Sequence, residues 1–235
     1  MPIRTAITTA WTRAGMFALP LYGILLFVGT LTPQPDQTTD PEGWARFVSS
    51  TSYLIAHVVT GVVGAALVIL GTFALAVLTA SRSPRLSLTG MLLSVVGQVL
   101  FTVPAVISTF ATPAIGQAYL RGNRDVMTLE FSGVMTVITL LAVLLTVAGN
   151  VILGIAVTRS RLFPRWTGIT WAAGAVIFYL LGAALGMATT GASLPTQPVG
   201  AALMAIASAA MAWTAARSRE PLPATPSGSA ATTSP

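Results

Sequence analysis

Residues 131–157 read FSGVMTVITLLAVLLTVAGNVILGIAV without one charged side chain, and TRSRLFPR (158–165) then supplies three arginines at once. At 1.5 Å per residue, about 20 mostly apolar residues cross the roughly 30 Å hydrocarbon layer of a bilayer. The run is long enough to cross once, and the arginines mark where it emerges. Five more runs of this kind lie on either side of it, so that the predicted spans are Ala14–Thr32, Tyr53–Ala80, Leu88–Phe110, Phe131–Val157, Thr167–Thr189 and Pro198–Ala215. None of the 12 basic or 6 acidic residues falls inside any of them.

The composition of the 235-residue chain agrees: 54% of residues are apolar and only 8% charged, and the mean hydropathy is +0.81. An ordinary soluble domain carries roughly 25% charged residues, so lipid is the main solvent here. The expected fold is an all-α polytopic membrane protein, a bundle of six transmembrane helices. Residues 1–216 form that domain and residues 217–235, rich in Pro, Ser, Thr and Ala, read as a disordered cytoplasmic tail. The apolar run after Arg13 has no small-x-small cleavage site and is read as a span, not as a signal core.

Orientation follows from the arginines, because cytoplasmic loops hold the excess of basic residues during insertion. Arg4, Arg13, Arg82, Arg85, Arg159, Arg161, Arg165, Arg217 and Arg219 share the side of the termini, against Arg46, Arg121 and Arg124 on the other. Asp36, Asp40, Glu42, Asp125 and Glu130 show the reverse bias. This predicts a multi-pass protein of a bacterial plasma membrane with both termini cytoplasmic. The net charge of +6 is therefore topological, and dispersed arginines without a basic run or interleaved aromatics do not make a nucleic-acid surface.

The loops opposite the termini are the longer ones. In the first, Asp40 caps a short helix with Pro41 at its first position, and Trp44 and Phe47 share a face that is expected to lie at the membrane interface. In the second, Thr112–Pro113 reads as a fresh helix start, with Gly122 and Asn123 as its stop.

Two stretches resemble one another. Pro84-Arg85, Thr89-Gly90 and Gly97 to Phe101 recur as Pro164-Arg165, Thr167-Gly168 and Gly174 to Phe178, at an offset of 77 to 80 residues. The second and third spans would then be a parallel copy of the fourth and fifth. Equally, Pro, Arg, Thr and Gly mark any turn at the cytoplasmic face.

The polar residues that lipid makes expensive are the candidate site residues. Tyr22, Gln98 and Tyr179 fall near the midplane and Asn150 somewhat nearer the cytoplasm, as ligand-binding candidates or as hydrogen bonds that tie helices together. Pro104 is expected to kink its helix beside this layer. His57, the one histidine, sits about a turn inside its span. It is either a neutral, hydrogen-bonded structural group or, with Glu130 or Asp125, an acid–base pair. Glu130 also suits a helix N-terminus by the dipole alone. Gly182-x-x-x-Gly186 and the row Ala201, Ala205, Ala209 allow close helix approach, within the bundle or between copies.

Cysteine and lysine are both absent, which removes disulfides, thiolate metal sites, Schiff bases and the nucleotide-binding lysine. No metal or cofactor is expected. Arg13-Ala14-Gly15 and Phe163-Pro164-Arg165-Trp166-Thr167-Gly168 resemble signatures of small six-helix integral membrane proteins of unknown function from GC-rich actinobacteria. The resemblance implies a fold and no reaction. The function expected from the residues is non-enzymatic: binding or passing a small apolar or amphipathic molecule, or serving as a membrane partner subunit. The alternatives are an enzyme acting on a lipid or isoprenoid through His57 with Glu130 or Asp125, and a purely structural role.

Overall fold

The computed structural model describes residues 10–129, 132–190 and 193–217. Six helices are long and apolar enough to cross a membrane. We number them with one short helix between: α1 (Ala10–Gly29), α2 (Pro41–Val48), α3 (Thr51–Ala80), α4 (Pro84–Leu120), α5 (Gly133–Ser160), α6 (Arg165–Ala184, continued over Leu185–Thr190) and α7 (Thr196–Arg217). No strand occurs among the described residues. Ala10 and Arg217 share one side of the bundle, here the near side; α2 lies on the far side. The predicted tail, from residue 218 onward, falls outside the described residues.

The six long helices form a closed ring. Each packs on the next in the order α1, α3, α4, α5, α6, α7, and α7 closes back on α1. Large apolar side chains such as Leu21, Val28, Leu70, Phe73, Val137 and Ile169 stay exposed on the outside, whereas Thr72, Ser94, Gln98, Thr146, Asn150 and Ser208 are buried within. A largely apolar interior that also shelters the polar side chains, under an apolar exterior, is the distribution that lipid favours, since backbone groups are satisfied inside each helix and apolar surface costs nothing outside.

Glycine sets how closely the helices approach. An alanine methyl at Gly149 of α5 would lie 2.3 Å from the Ser94 nitrogen of α4, and one at Gly97 would lie 2.5 Å from the Thr146 nitrogen. The backbones of α4 and α5 therefore touch. Gly154 meets Gly168 across the α5–α6 seam, Gly200 meets Phe178 across α6–α7, Gly23 meets Ala205 across α1–α7 and Gly71 meets Leu19 across α1–α3. The smallness patterns are spent inside the ring: Gly182 lies against Gln197, Ala201 is fully buried and Ala205 is taken by Gly23, while Ala209 is exposed.

Two helices depart from the sequence expectation at proline. Pro20 has no N–H for the Met16 carbonyl, and α1 breaks at Phe17 before resuming over Ala18–Gly29. In α4 the expected break at Thr112–Pro113 does not occur. The helix continues through a π-helical stretch, Ile107–Ala111, which absorbs the missing Pro113 N–H by widening the preceding turn. Its end is as expected: the Gly122 N–H bonds to Tyr119 O and the Asn123 N–H to Ala118 O, with Gly122 at φ +97°, a conformation glycine adopts freely.

The extra turns of α4 have a partner. Asp40 caps α2 as expected, its Oδ1 accepting the Gly43 N–H at 2.9 Å. Trp44, Ala45 and Val48 turn onto Ile115 and Tyr119 of α4 and onto Tyr53. The short helix expected at the interface is thus also packed on protein, because α4 extends far enough to cover it. The loop before it turns on Asp36, which accepts the Thr38 hydroxyl and N–H; these bonds hold its carboxyl below the usual carboxylate range.

The suspected repeat is not confirmed by the packing. Gly90 lies against Leu153 of α5, and its counterpart Gly168 also lies against α5, at Gly154 and Thr158. A true copy of the α3–α4 pair would send the two glycines to different, corresponding neighbours.

Candidate functional site

Three of the four midplane residues meet on the ring axis. Tyr22 of α1 and Tyr179 of α6 share a short hydroxyl–hydroxyl hydrogen bond, and Gln98 of α4 donates its Nε2–H to the Tyr179 hydroxyl at 2.8 Å. These helices are every second member of the ring, so the three side chains brace it from three directions. All are at most 5% exposed. The helical rise puts the cluster about 20 Å from the near-side helix ends, in the middle of the bilayer.

The local structure explains why they converge. Gly64 of α3 lies beside the Tyr22 ring, where an added methyl group would be in ordinary contact at 3.4 Å. Tyr179 sits within a π-helical stretch, Val176–Ala184, a widened turn of the kind that often re-aims a side chain. Phe101 and Phe178 flank it edge-on, with ring centroids 6.0 and 4.9 Å away. These two phenylalanines were not singled out as site residues from the sequence, although each closes one of the two similar stretches, Gly97 to Phe101 and Gly174 to Phe178.

A proton count defines what the cluster can still do. Two hydroxyls carry two hydrogens, of which one is used between the tyrosines. The second tyrosine hydrogen lies beside the Gln98 side chain, which is in hydrogen-bond reach of Tyr22 as well as Tyr179. Two phenols and one amide thus form a compact neutral cluster of donors and acceptors in an apolar, uncharged setting.

Asn150 does not join them. Its Nδ2 donates to Thr146 O at 2.8 Å and to Ser94 Oγ at 3.4 Å, which places it on the α4–α5 seam, about 15 Å from the near-side end of α5. The Asn150 Oδ1, the Thr146 Oγ1 and the Trp171 Nε1 are buried without a partner among the described residues. Towards the near side Met16, Leu19, Leu75, Leu153 and Trp171 are fully buried. On the far side the filling thins: no residue is buried among 54–63 of α3 or 133–141 of α5.

His57 lies in that thinner region. Its Nδ1–H donates to Tyr53 O at 3.0 Å and its ring stacks on Tyr53 at 3.8 Å, while the Tyr53 hydroxyl reaches Ser108 of α4. Asp125 is exposed in a short 3-10 turn, Arg124–Thr128, with no hydrogen bond or ion pair from its side chain to His57. Glu130 lies outside the described residues. No group of three or more His, Asp or Glu side chains that could hold a metal occurs among the described residues.

No curated protein and no solved structure matches the chain. A family profile does match, over residues 8–215, and its description is that of a domain of unknown function. The span of that match runs from just before α1 almost to the end of α7, the whole of the ring, and the chain belongs to the DUF4386 family.

Proposed function

We propose that the ring binds, at Tyr22, Gln98 and Tyr179, a small uncharged molecule with an apolar body and a hydroxyl group. The observation that carries this reading is the buried cluster itself, three neutral donor–acceptor groups brought together from alternate helices. A ligand hydroxyl can both accept from and donate to such groups, exchanging hydrogen bonds with a phenol and the amide. A charged ligand finds no counter-charge there, and a purely apolar one gains nothing from the polar groups. Phe101 and Phe178 supply an apolar wall, and the sparsely filled far side supplies the approach.

The reading is non-enzymatic. No hydrogen bond or ion pair joins His57 to Asp125 among the described residues, and Glu130 lies outside them, so the acid–base alternative gains no support from the described contacts. Gly182, Ala201 and Ala205 are engaged within the bundle, which favours a role for them in closing the ring over one in joining two copies.

The test is extraction of small molecules from protein purified in native lipid discs. The expected outcome is an uncharged, hydroxylated molecule retained by the native chain and depleted from Gln98→Leu and from Tyr22→Phe, each checked to remain folded. Identical extracts from all three overturn the proposal.

The arginine bias supports a cytoplasmic near side. Because the chain has no cysteine, single replacements report cleanly. In intact cells a membrane-impermeant maleimide is expected to label Asn123→Cys on the far side and to spare Ser81→Cys on the near side. The reverse pattern overturns this orientation.

A further inference from the structure

A second feature lies outside the ring. On the lipid-facing surface of the α5–α6 seam runs an open groove, floored by Gly154, Gly168 and Ala172 and walled by Ile155 and Ile169. The floor is low because Gly154 and Gly168 face each other without side chains, each within 2.5 Å of the other's carbonyl if a methyl were added. Towards the middle of the bilayer the groove reaches Val151 and Val176, so it follows about 12 Å of helix. It is lined almost wholly by carbon.

At its near-side end the chemistry changes. Arg159 lines the mouth, and the turn that follows adds Arg161 and Arg165, all three exposed. None has a carboxylate partner among the described residues, where the one ion pair is Glu42 with Arg46 on the far side. All the described acidic residues, Asp36, Asp40, Glu42 and Asp125, are on the far side as well. Trp166 is 47% exposed next to the same turn, at the depth where indoles settle between headgroups and chains.

We infer that this groove is a binding site for an anionic phospholipid of the near-side leaflet, one acyl chain lying on the glycine floor and the phosphate held by Arg159 with its neighbours in the turn. The charge argument selects the occupant. Guanidinium groups bind phosphate oxygens in paired hydrogen bonds, and basic pockets between transmembrane helices select anionic headgroups. A second copy of this chain docking here would bring like charges together, because the described near side offers it no carboxylate. A zwitterionic lipid fits the groove but brings a cation to three arginines. This site is independent of the axis site in position and in ligand class.

The experiment uses the full chain in detergent with added phosphatidylglycerol or phosphatidylcholine, read by thermal unfolding and by native mass spectrometry of retained lipid. Phosphatidylglycerol is expected to raise the unfolding temperature and to remain bound, with phosphatidylcholine weaker by about tenfold, close to the low end of one charge-assisted hydrogen bond. Arg159→Gln removes the headgroup contact, and Ile169→Trp fills the groove from an exposed position without touching the core; both are expected to abolish the preference. Arg82→Gln, in the other near-side turn, is expected to keep it. Equal response to the two lipids, a preference untouched by Ile169→Trp, or equal loss in Arg82→Gln overturns the inference. So does a shift from dimer to monomer in Ile169→Trp with phosphatidylglycerol binding unchanged, which would make the groove a contact between copies.

Discussion

Gly149→Val is expected to cost the most stability of any single change considered, about 3 kcal/mol or more, the upper end of the penalty for overpacking a filled core. The new side chain would start 2.3 Å from the Ser94 nitrogen and 2.8 Å from the Gly90 carbonyl oxygen, and both are main-chain atoms that no rotamer change can move aside. The α4–α5 seam would have to open along its length, taking the Asn150 contacts with it. Thermal unfolding in detergent measures the effect. Gly133→Ala is the control on the same helix, because nothing lies within 4 Å of the added methyl group, and it is expected to be neutral. A Gly149→Val protein as stable as the native one would mean that the two backbones do not touch.

Tyr179→Phe is expected to be the most damaging change at the axis, costing about 1–3 kcal/mol. The Tyr179 hydroxyl is bonded to both of the other groups, so its removal takes a partner from the Gln98 amide and from the Tyr22 hydroxyl at a buried, apolar depth. Interhelical hydrogen bonds in membranes average about 0.6 kcal/mol and reach about 1.7, so two lost bonds account for most of the range. Tyr22→Phe keeps the bond from Gln98 to Tyr179 and is expected to cost about half as much. The double variant Tyr179→Phe/Gln98→Leu is expected to lose less than the sum of its parts, since the amide is removed with its partner. Additive losses in that cycle would show that the two residues do not interact.

The spans were legible because lipid imposes a one-dimensional rule. A crossing helix must be about 20 residues long and nearly free of charge, and this chain obeys that rule six times. The Asp40 cap and the Gly122 stop were legible for a similar reason: each depends on one residue and its nearest neighbours in sequence. Thr112–Pro113 misled because a proline reads the same whether a helix begins there or a π-helical turn absorbs it. What decides is whether the extended helix has something to pack on, and α2, more than sixty residues earlier, provides it.

The polar midplane residues were legible as a set, because hydrophilic side chains are rare in such spans. Their partition was not. Asn150 belongs to the α4–α5 seam, whereas Tyr22, Gln98 and Tyr179 belong to the axis, and four residues at similar depth carry no sequence mark of which way each one faces. Helices this apolar on all sides have almost no amphipathic stripe, so periodicity cannot tell the ring interior from lipid.

By itself, then, the amino-acid sequence determined how many times this chain crosses the bilayer, which loops share a side and which rare polar groups lie at depth, since all of these are sums over consecutive residues. The tertiary structure alone decided the ring order, the meeting of alternate helices at Tyr22, Gln98 and Tyr179, and the choice of Gly149 over Gly133 as a point of backbone contact. Such choices depend on the rotation of each helix about its own axis, and in lipid that rotation is set by the fit of one helix against another, with no difference in hydrophobicity to fix it beforehand.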